Sequence, residues 1–157
     1  AHSVRTPVDN LSMAVTDSPH TVLTSARHAI VLTPDQRAIR CEVARWALAT
    51  GHPLHLDAIT VILAVKSFES SIDGRPFNRW SAQSTLTFIW GSVREWCGAR
   101  SIEVPPQLAE SLWTWFDFLG RHRQFASGSS TLGALRDVLV DTGGLTRSGR
   151  APVTRAR

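Results

Sequence analysis

The chain of 157 residues has no tyrosine, one lysine and two cysteines. Without tyrosine, catalysis that uses a phenol as acid or base is excluded. Cys41 and Cys97 form no CxxC pair. A single disulfide is one interpretation, but two reduced, half-buried thiols in a cytosolic protein are favoured. We therefore expect a cytoplasmic protein whose thiols are inert.

Long apolar runs are also missing. The longest extends from Ala58 to Val65 and is interrupted by Thr60, far short of the ~20 residues of a membrane span. The N-terminus lacks the basic-then-apolar pattern of a signal peptide, so we expect no membrane partner. The only methionine is Met13. We expect translation to start near it, with residues 1–12 as an added or processed leader.

Motifs that carry nucleotide or nucleophilic chemistry are absent as well. The sequence contains neither GxGxxG nor GxxxxGK[ST], which excludes the common phosphate-binding loops. The run SGSS (127–130) lacks the preceding strand that a nucleophile elbow needs. Asp117 stands alone between aromatic residues, without a second carboxylate at a spacing suited to acid–base work. We expect a protein that is not an enzyme and needs no cofactor; a small enzyme or a metal-binding protein is the third-ranked alternative.

The segment HPLHLD (52–57) is the one candidate for metal binding. His52, His55 and Asp57 lie within six residues, and transition metals take such ligands. Neither HExxH nor a cysteine pair accompanies them, and two loop histidines at this spacing are common by chance. We expect them to be loop residues near a helix start, with Asp57 stabilising the first turn.

Charge is unevenly distributed. The chain has 17 basic and 13 acidic residues, a net charge of +4. Four of the 17 lie in residues 147–157, which hold no acid, so residues 1–146 carry 13 of each sign. The excess belongs to a basic tail over residues 146–157, which we predict to be flexible.

Helical periodicity recurs between residues 33 and 145. Thr33 and Gln36 form a capping-box pattern around Pro34, and Gly51 is a typical stop. The β-branched residues of the segment 54–68 also suit a strand, but its length and its neighbours favour a buried central helix. We predict one all-α domain over residues 33–145, with about five helices near 34–50, 54–68, 77–97, 108–119 and 131–141, and a turn over SSIDGRP (70–76).

Residues 1–32 are predicted to be an N-terminal arm or linker. Within it, TVLTSARHAIVL (21–32) has no long helical period and is expected to form a weak hairpin or an extended segment.

Six tryptophans and six phenylalanines supply the large rings. On the third helix, Trp90 and Trp96 fall on the apolar arc and are predicted to be core. Rings off the apolar arcs would be awkward in water and suit partner anchors. The predicted function is a non-enzymatic helical protein-interaction module, self-associating or bound to another protein. Its predicted partner-binding residues are Trp80, Phe88, Trp113 and Phe118.

Nucleic-acid binding, as an accessory or regulatory protein, is the alternative function. Arginine makes bidentate phosphate contacts, and polar residues near the start of the third helix could face a groove. A solvated helix face explains the same residues. The residues that this alternative would use are Arg79, Gln83, Arg121, Arg123, Arg147 and Arg150.

The runs FIWGSVREWC (88–97) and LWTWFDFLGRHRQFASGSSTLGALRDVLVDTGGLTRSGR (112–150) resemble small Trp-rich helical proteins of high-GC actinobacteria. The resemblance covers roughly residues 58–150. It implies a helical fold and a cytosolic setting, and it implies no catalytic residue.

Overall fold

The computed structural model describes residues 26–153. The predictions for residues 1–12, for 21–25 and for 154–157 therefore lie outside the described residues. The described part contains helices and no β-strand, which confirms the prediction of a single all-α domain. The helices are α1 (Ala26–Ala29), α2 (Pro34–Thr50), α3 (Leu56–Asp73), α4 (Ala82–Thr87), a π-helical turn (Phe88–Ser92), α5 (Val93–Ala99), α6 (Leu108–Arg121) and α7 (Leu132–Asp141).

The ends of α2 follow the predicted chemistry. Thr33 accepts a hydrogen bond from the backbone N–H of Gln36, and the Gln36 side chain accepts one from the N–H of Thr33. This reciprocal pair satisfies two backbone donors that the helix leaves open. Gly51 closes the helix in the left-handed conformation, with φ 72°, which a glycine adopts without steric cost.

Helix α3 is the central helix that the segment 54–68 was predicted to form, and the strand alternative is wrong. Ala58 to Leu63, together with Val65 and Lys66, are buried. The helix also extends further than expected. It continues through the serines at 70 and 71, which were interpreted as a turn, and ends at Asp73 before Gly74.

Helix α6 is a second central helix, which the sequence did not indicate. Every residue from Ser111 to Leu119 is buried, because α2, α3 and α7 all pack against it. The prediction that Trp113 and Phe118 lie on the surface is therefore wrong. A helix covered on several sides buries the rings off its apolar stripe as well as those on it.

The π-helical turn changes which rings of the next helix point inward. The backbone N–H of Val93 donates to the carbonyl of Phe88, five residues earlier, and the backbone stays helical at both ends of the turn. A π turn takes up one extra residue, which rotates the following face by about 100° relative to a regular α-helix. Phe88, predicted on the outer face, is buried, whereas Trp90, predicted in the core, is 50% exposed.

Trp80 is also buried, contrary to its predicted surface position. It precedes α4 in an extended segment that pairs with the loop before α7, where the Ser130 N–H donates to the Trp80 carbonyl at 2.8 Å. Its ring packs edge-on against Phe88 and Phe116, with centroids 5.0 and 5.1 Å away. A helical projection does not apply to a residue outside the helix.

The segment 21–32 was predicted to be a hairpin or extended. In its described part, Ala26–Ala29 is instead a helical turn, with Ala26 buried. This turn packs against α3.

At the other end of the chain, residues 145–151 lie against α2 and α6. Leu145 is buried, Arg150 donates to the Gly51 carbonyl at 3.1 Å, and the Ala151 N–H donates to Glu110 at 2.8 Å. No helix of residues 26–153 is both long and apolar enough to cross a membrane.

Candidate functional site

A groove with a volume of about 600 Å³ lies between the second half of α3 and the continuous helix formed by α4, the π turn and α5. We call it the α3–α5 groove. Its apolar lining comes from both sides: Val65, Phe68 and Ile72 from α3, and Trp96 and Ala99 from α5. Pockets of this size typically hold ligands or peptide anchors.

The groove exists because the apolar stripe of α3 runs past the core. Val65, Phe68 and Ile72 follow helical i, i+3, i+7 spacing, but only Val65 is covered. Phe68 is 44% exposed and Ile72 is 71% exposed. An apolar stripe that no other helix covers is a typical feature of an interaction surface.

Lys66 is the most enclosed charge of the groove. The residue is 8% exposed, and its Nζ lies 3.5 Å from a carboxylate oxygen of Glu69 and 4.3 Å from the centre of the Trp80 ring. Burial lowers the pKa of this amine, and the neighbouring Glu69 opposes that shift. Trp80 therefore forms the layer directly beneath the groove.

The other cations of the groove differ in their partners. Arg75 lies 4.0 Å from the Asp73 carboxylate. Arg100 stacks on Trp96, 4.2 Å from the ring centre, and donates to a backbone carbonyl. Arg79 donates to the carbonyl of Ser127. Within residues 26–153, neither Arg79 nor Arg100 has a carboxylate partner.

Uncharged polar side chains line the same groove. Gln83, Thr87 and Ser92 face it from α4 and the π turn. Their side chains make no hydrogen bond to another residue of the described chain. They leave donors and acceptors for a bound molecule.

The predicted partner anchors do not form this surface. Trp80, Phe88, Trp113 and Phe118 are all buried, and only Trp80 approaches the groove, from below. The groove residues that sequence reasoning missed are Phe68 and Ile72. Ile72 continues the apolar pattern of α3, but the predicted helix ended at residue 68 and so did not include it.

The residues of the nucleic-acid alternative lie in three parts of the fold. Arg79 and Gln83 line the groove, Arg121 and Arg123 are exposed at the end of α6, and Arg147 and Arg150 are exposed in the C-terminal segment. The Arg79 hydrogen bond to the carbonyl of Ser127 connects the first group to the loop that follows Arg123.

The two histidines that were candidates for metal binding each contact a different carboxylate. The Nε2 of His52 lies 2.9 Å from Asp117, and the Nε2 of His55 lies 2.9 Å from Glu110. Among the described residues, no group of three or more histidine, cysteine or acidic side chains is arranged to hold a metal ion. The structure thus does not bring His52 and His55 together as a ligand set.

Thr50, His52 and Asp117 form a hydroxyl–imidazole–carboxylate chain. The Nδ1 of His52 lies 2.7 Å from the Thr50 hydroxyl, and Arg136 donates to Asp117 from the other side. However, the Thr50 hydroxyl donates to the carbonyl of Trp46 at 2.7 Å, at the C-terminal end of α2. Carbonyl oxygens at a helix C-terminus repel a developing oxyanion. This hydrogen-bonded chain of side chains therefore suits a structural role, linking α2, α6 and α7, rather than catalysis of acyl transfer.

Comparison with protein-family models, curated proteins and solved structures finds no match for this chain. The functional argument therefore rests on the geometry of the groove.

Proposed function

We propose that this protein is a non-enzymatic helical interaction module that receives a partner helix in the α3–α5 groove. The observation that carries the proposal is the uncovered apolar stripe of Phe68 and Ile72, which faces Trp96 across the groove. Recognition of this kind inserts the apolar face of an amphipathic helix between two helices.

The dimensions support a helix as the occupant. From Val65 to Ile72 the apolar wall spans about two helical turns, or roughly 10 Å. From Gln83 to Ala99 the opposite wall spans about 24 Å at ~1.5 Å per residue. A helix of about four turns would lie along the longer wall and place three or four apolar residues on the floor.

Charge complementarity supports a partner with acidic residues. The groove is lined by four cations, Lys66, Arg75, Arg79 and Arg100, and three acids, Glu69, Asp73 and Glu95. Because Glu69 and Asp73 already lie beside Lys66 and Arg75, two arginines remain against one acid. Acidic residues flanking an apolar helix face would pair with this surplus.

A second copy of the chain suits the groove less well. Two grooves placed face to face would bring surplus positive charges together, which opposes association. We therefore commit to a different protein as the partner, and the self-association predicted from the sequence becomes an outcome of the test.

We also propose a cytoplasmic setting. Cys41 is exposed and Cys97 is buried, and both are free thiols. Unpaired cysteines are typical of proteins that work in a reducing compartment.

The proposal is tested with designed peptides of about 16 residues. One carries an apolar leucine face flanked by glutamates, and the other has lysines in place of the glutamates. We expect the acidic peptide to bind and the basic one to bind at least tenfold more weakly, as measured by fluorescence anisotropy. The lysines of the basic peptide would meet the surplus arginines of the groove with like charge, and a total difference of about 1.4 kcal/mol changes affinity tenfold.

The matched protein variants are Ile72→Glu and Leu48→Glu. Both residues are highly exposed, 71% and 72%, but only Ile72 lines the groove. We expect Ile72→Glu to weaken binding at least tenfold and Leu48→Glu to leave it unchanged. Equal effects of the two variants on peptide binding would contradict the proposal. Sedimentation analysis supplies a second contradicting outcome: a dimer of the wild-type protein that Ile72→Glu dissociates but the acidic peptide does not dissociate.

A further inference from the structure

We infer that Lys66 is the specificity-determining anchor of the groove, and that it pairs with an aspartate or glutamate located within the apolar face of the partner helix. The inference rests on the proposed function. The inference adds a chemical requirement to the proposed function: the partner helix must place a carboxylate at the floor of the interface, in addition to the acids at its rim.

The first argument is that the Lys66 ammonium is enclosed but incompletely partnered. An ammonium has three donors. The closest carboxylate to Lys66 is that of Glu69 at 3.5 Å, longer than the ~2.7–2.9 Å of a good charge-assisted hydrogen bond, and Asp73 acts on the amine from farther away. The face of Trp80 covers one side of the amine at 4.3 Å. At least one donor direction remains for a bound group.

The second argument concerns what a docked helix would do to this charge. Lys66 is 8% exposed and lines the groove, so a docked helix would displace water from it. A helix with a purely apolar face would leave the ammonium with Glu69 at 3.5 Å and the more distant Asp73 as its acids. Enclosing a charge without a close partner is strongly unfavourable. A helix that brings its own carboxylate avoids this penalty, so Lys66 selects for such a partner.

The third argument is position. Lys66 lies one residue after Val65 and two before Phe68 on α3, and all three line the same groove. A carboxylate that reaches Lys66 must therefore come from among the apolar residues that pack on Val65 and Phe68. The rim residues Arg79 and Arg100, which also line the groove, would contact acids elsewhere on the partner, so the two kinds of acid can be separated by experiment.

A pH dependence follows from the same geometry. Burial lowers the pKa of Lys66 below its ordinary value of 10.5, with Arg75 adding to the shift and the carboxylates of Glu69 and Asp73 opposing it. A partner carboxylate stabilises the charged amine and raises its pKa again. Peptide binding should therefore be accompanied by proton uptake at pH values near the pKa that Lys66 has in the unbound protein. The affinity for the peptide should fall as the pH rises through that range.

The test uses three isomeric or isosteric peptides with the same leucine face and the same flanking glutamates. The first has one glutamate within the apolar face, the second has glutamine at that position, and the third has the glutamate moved to the opposite face. The third peptide has the net charge of the first and serves as its control. We expect the wild-type protein to bind the first peptide about tenfold or more tightly than either of the others.

The same three peptides are then titrated against Lys66→Met and Lys66→Arg, with Arg100→Met as the control variant. We expect Lys66→Met to abolish the preference for the first peptide and Lys66→Arg to retain part of it. Arg100→Met should lower affinity for all three and preserve their ranking. Isothermal titration at several pH values below 10.5, in two buffers of different ionisation enthalpy, should also show proton uptake for the first peptide alone.

Each outcome separates the inference from the proposed function. If the peptides bind the groove but the wild-type protein does not distinguish the first from the third, Lys66 is not the anchor and the interaction module stands. The same conclusion follows if Lys66→Met keeps the preference. If no peptide binds, both are overturned. Should Lys66→Met fail to fold, the comparison of the first and third peptides on the wild-type protein still decides the inference.

Discussion

Two faces of the helical domain both contain aromatic and charged residues, but one face is covered by other parts of the described chain and the other is exposed. On the closed face, which we define as α6 with residues 145–151, Trp113 is covered by Gly149 and Glu110 bonds both His55 and the Ala151 N–H. At the α3–α5 groove, Phe68 and Ile72 remain exposed.

The charges of the two faces differ in the same way. Asp117 on the closed face contacts both His52 and Arg136, whereas Arg79 and Arg100 in the groove have no carboxylate among residues 26–153. The closed face uses its polar groups to hold the fold together. The groove leaves polar and apolar groups exposed, as the proposed binding role requires. Residues that only maintain the fold should therefore separate experimentally from those that only serve binding.

The largest effect should distinguish a buried tryptophan from an exposed one. Trp80→Ala removes a ring that packs on Phe88 and Phe116, and we expect it to lower the free energy of unfolding by about 3–5 kcal/mol. Trp90→Ala, at a half-exposed position, should lower it by about 1 kcal/mol or less. Urea unfolding measures both. Equal losses would show that Trp80 is packed no more deeply than Trp90.

Gly149 tests how tightly the closed face is covered. Gly149 and Gly144 both have positive φ, 79° and 72°, so alanine at either position should cost about 1–2 kcal/mol. A Cβ at Gly149 would also overlap the Trp113 ring, whereas nothing lies within 4 Å of one at Gly144. We expect Gly149→Ala to lose about 1–3 kcal/mol more than Gly144→Ala in thermal or urea unfolding. Identical losses would indicate that residues 145–151 do not pack on α6.

Asp117 and Glu95 form a matched pair of acids on the two faces. Asp117→Asn breaks a largely buried contact to His52 and Arg136, and we expect a loss of about 2 kcal/mol of stability. Glu95 lines the groove and is exposed, so Glu95→Gln should change stability by less than about 0.5 kcal/mol. A large loss for Glu95→Gln would mean that the groove is part of the structural network.

Lys66→Met should change stability only slightly, and by an amount that depends on pH. Because burial lowers the pKa of Lys66 in the folded protein, the unfolded chain binds the proton more tightly, and the charged amine destabilises the fold at neutral pH. Lys66→Met should therefore be more stable than wild type by about 1 kcal/mol or less at pH 7.

That difference should shrink as the pH rises through the folded pKa of Lys66 toward 10.5. Parallel urea titrations of the two proteins isolate it, since all other titrating groups are shared. A difference that grows with pH would contradict the pKa direction.

The helices could be predicted from the sequence because their signals are local. Thr33 and Gln36 cap α2, Thr131 caps α7 by accepting a hydrogen bond from the Ala134 N–H, and Gly51 ends α2. Each depends on residues within one turn of the helix end. The β-branched content of α3 did not mislead, because its length favoured a helix.

The candidate site could not be predicted in the same way. One extra residue in the π turn determines that Phe88 points inward and Trp90 outward, and no local sequence pattern indicated that extra residue. The burial of Trp113 and Phe118 depends on how many neighbours α6 has, which is a property of the whole fold. Ile72 was missed because Ser70 and Ser71 resembled a turn, although they continue α3 to Asp73.

The central claim is that the α3–α5 groove is the docking surface, and the indole N–H signals of two tryptophans test it most directly. Trp96 lines the groove, and Trp90, on the same continuous helix, does not. In a ¹H–¹⁵N spectrum assigned with Trp96→Phe and Trp90→Phe, titration with the acidic peptide should shift the Trp96 indole signal and leave that of Trp90 in place. A peptide that binds while shifting Trp90 and not Trp96 would contradict the account.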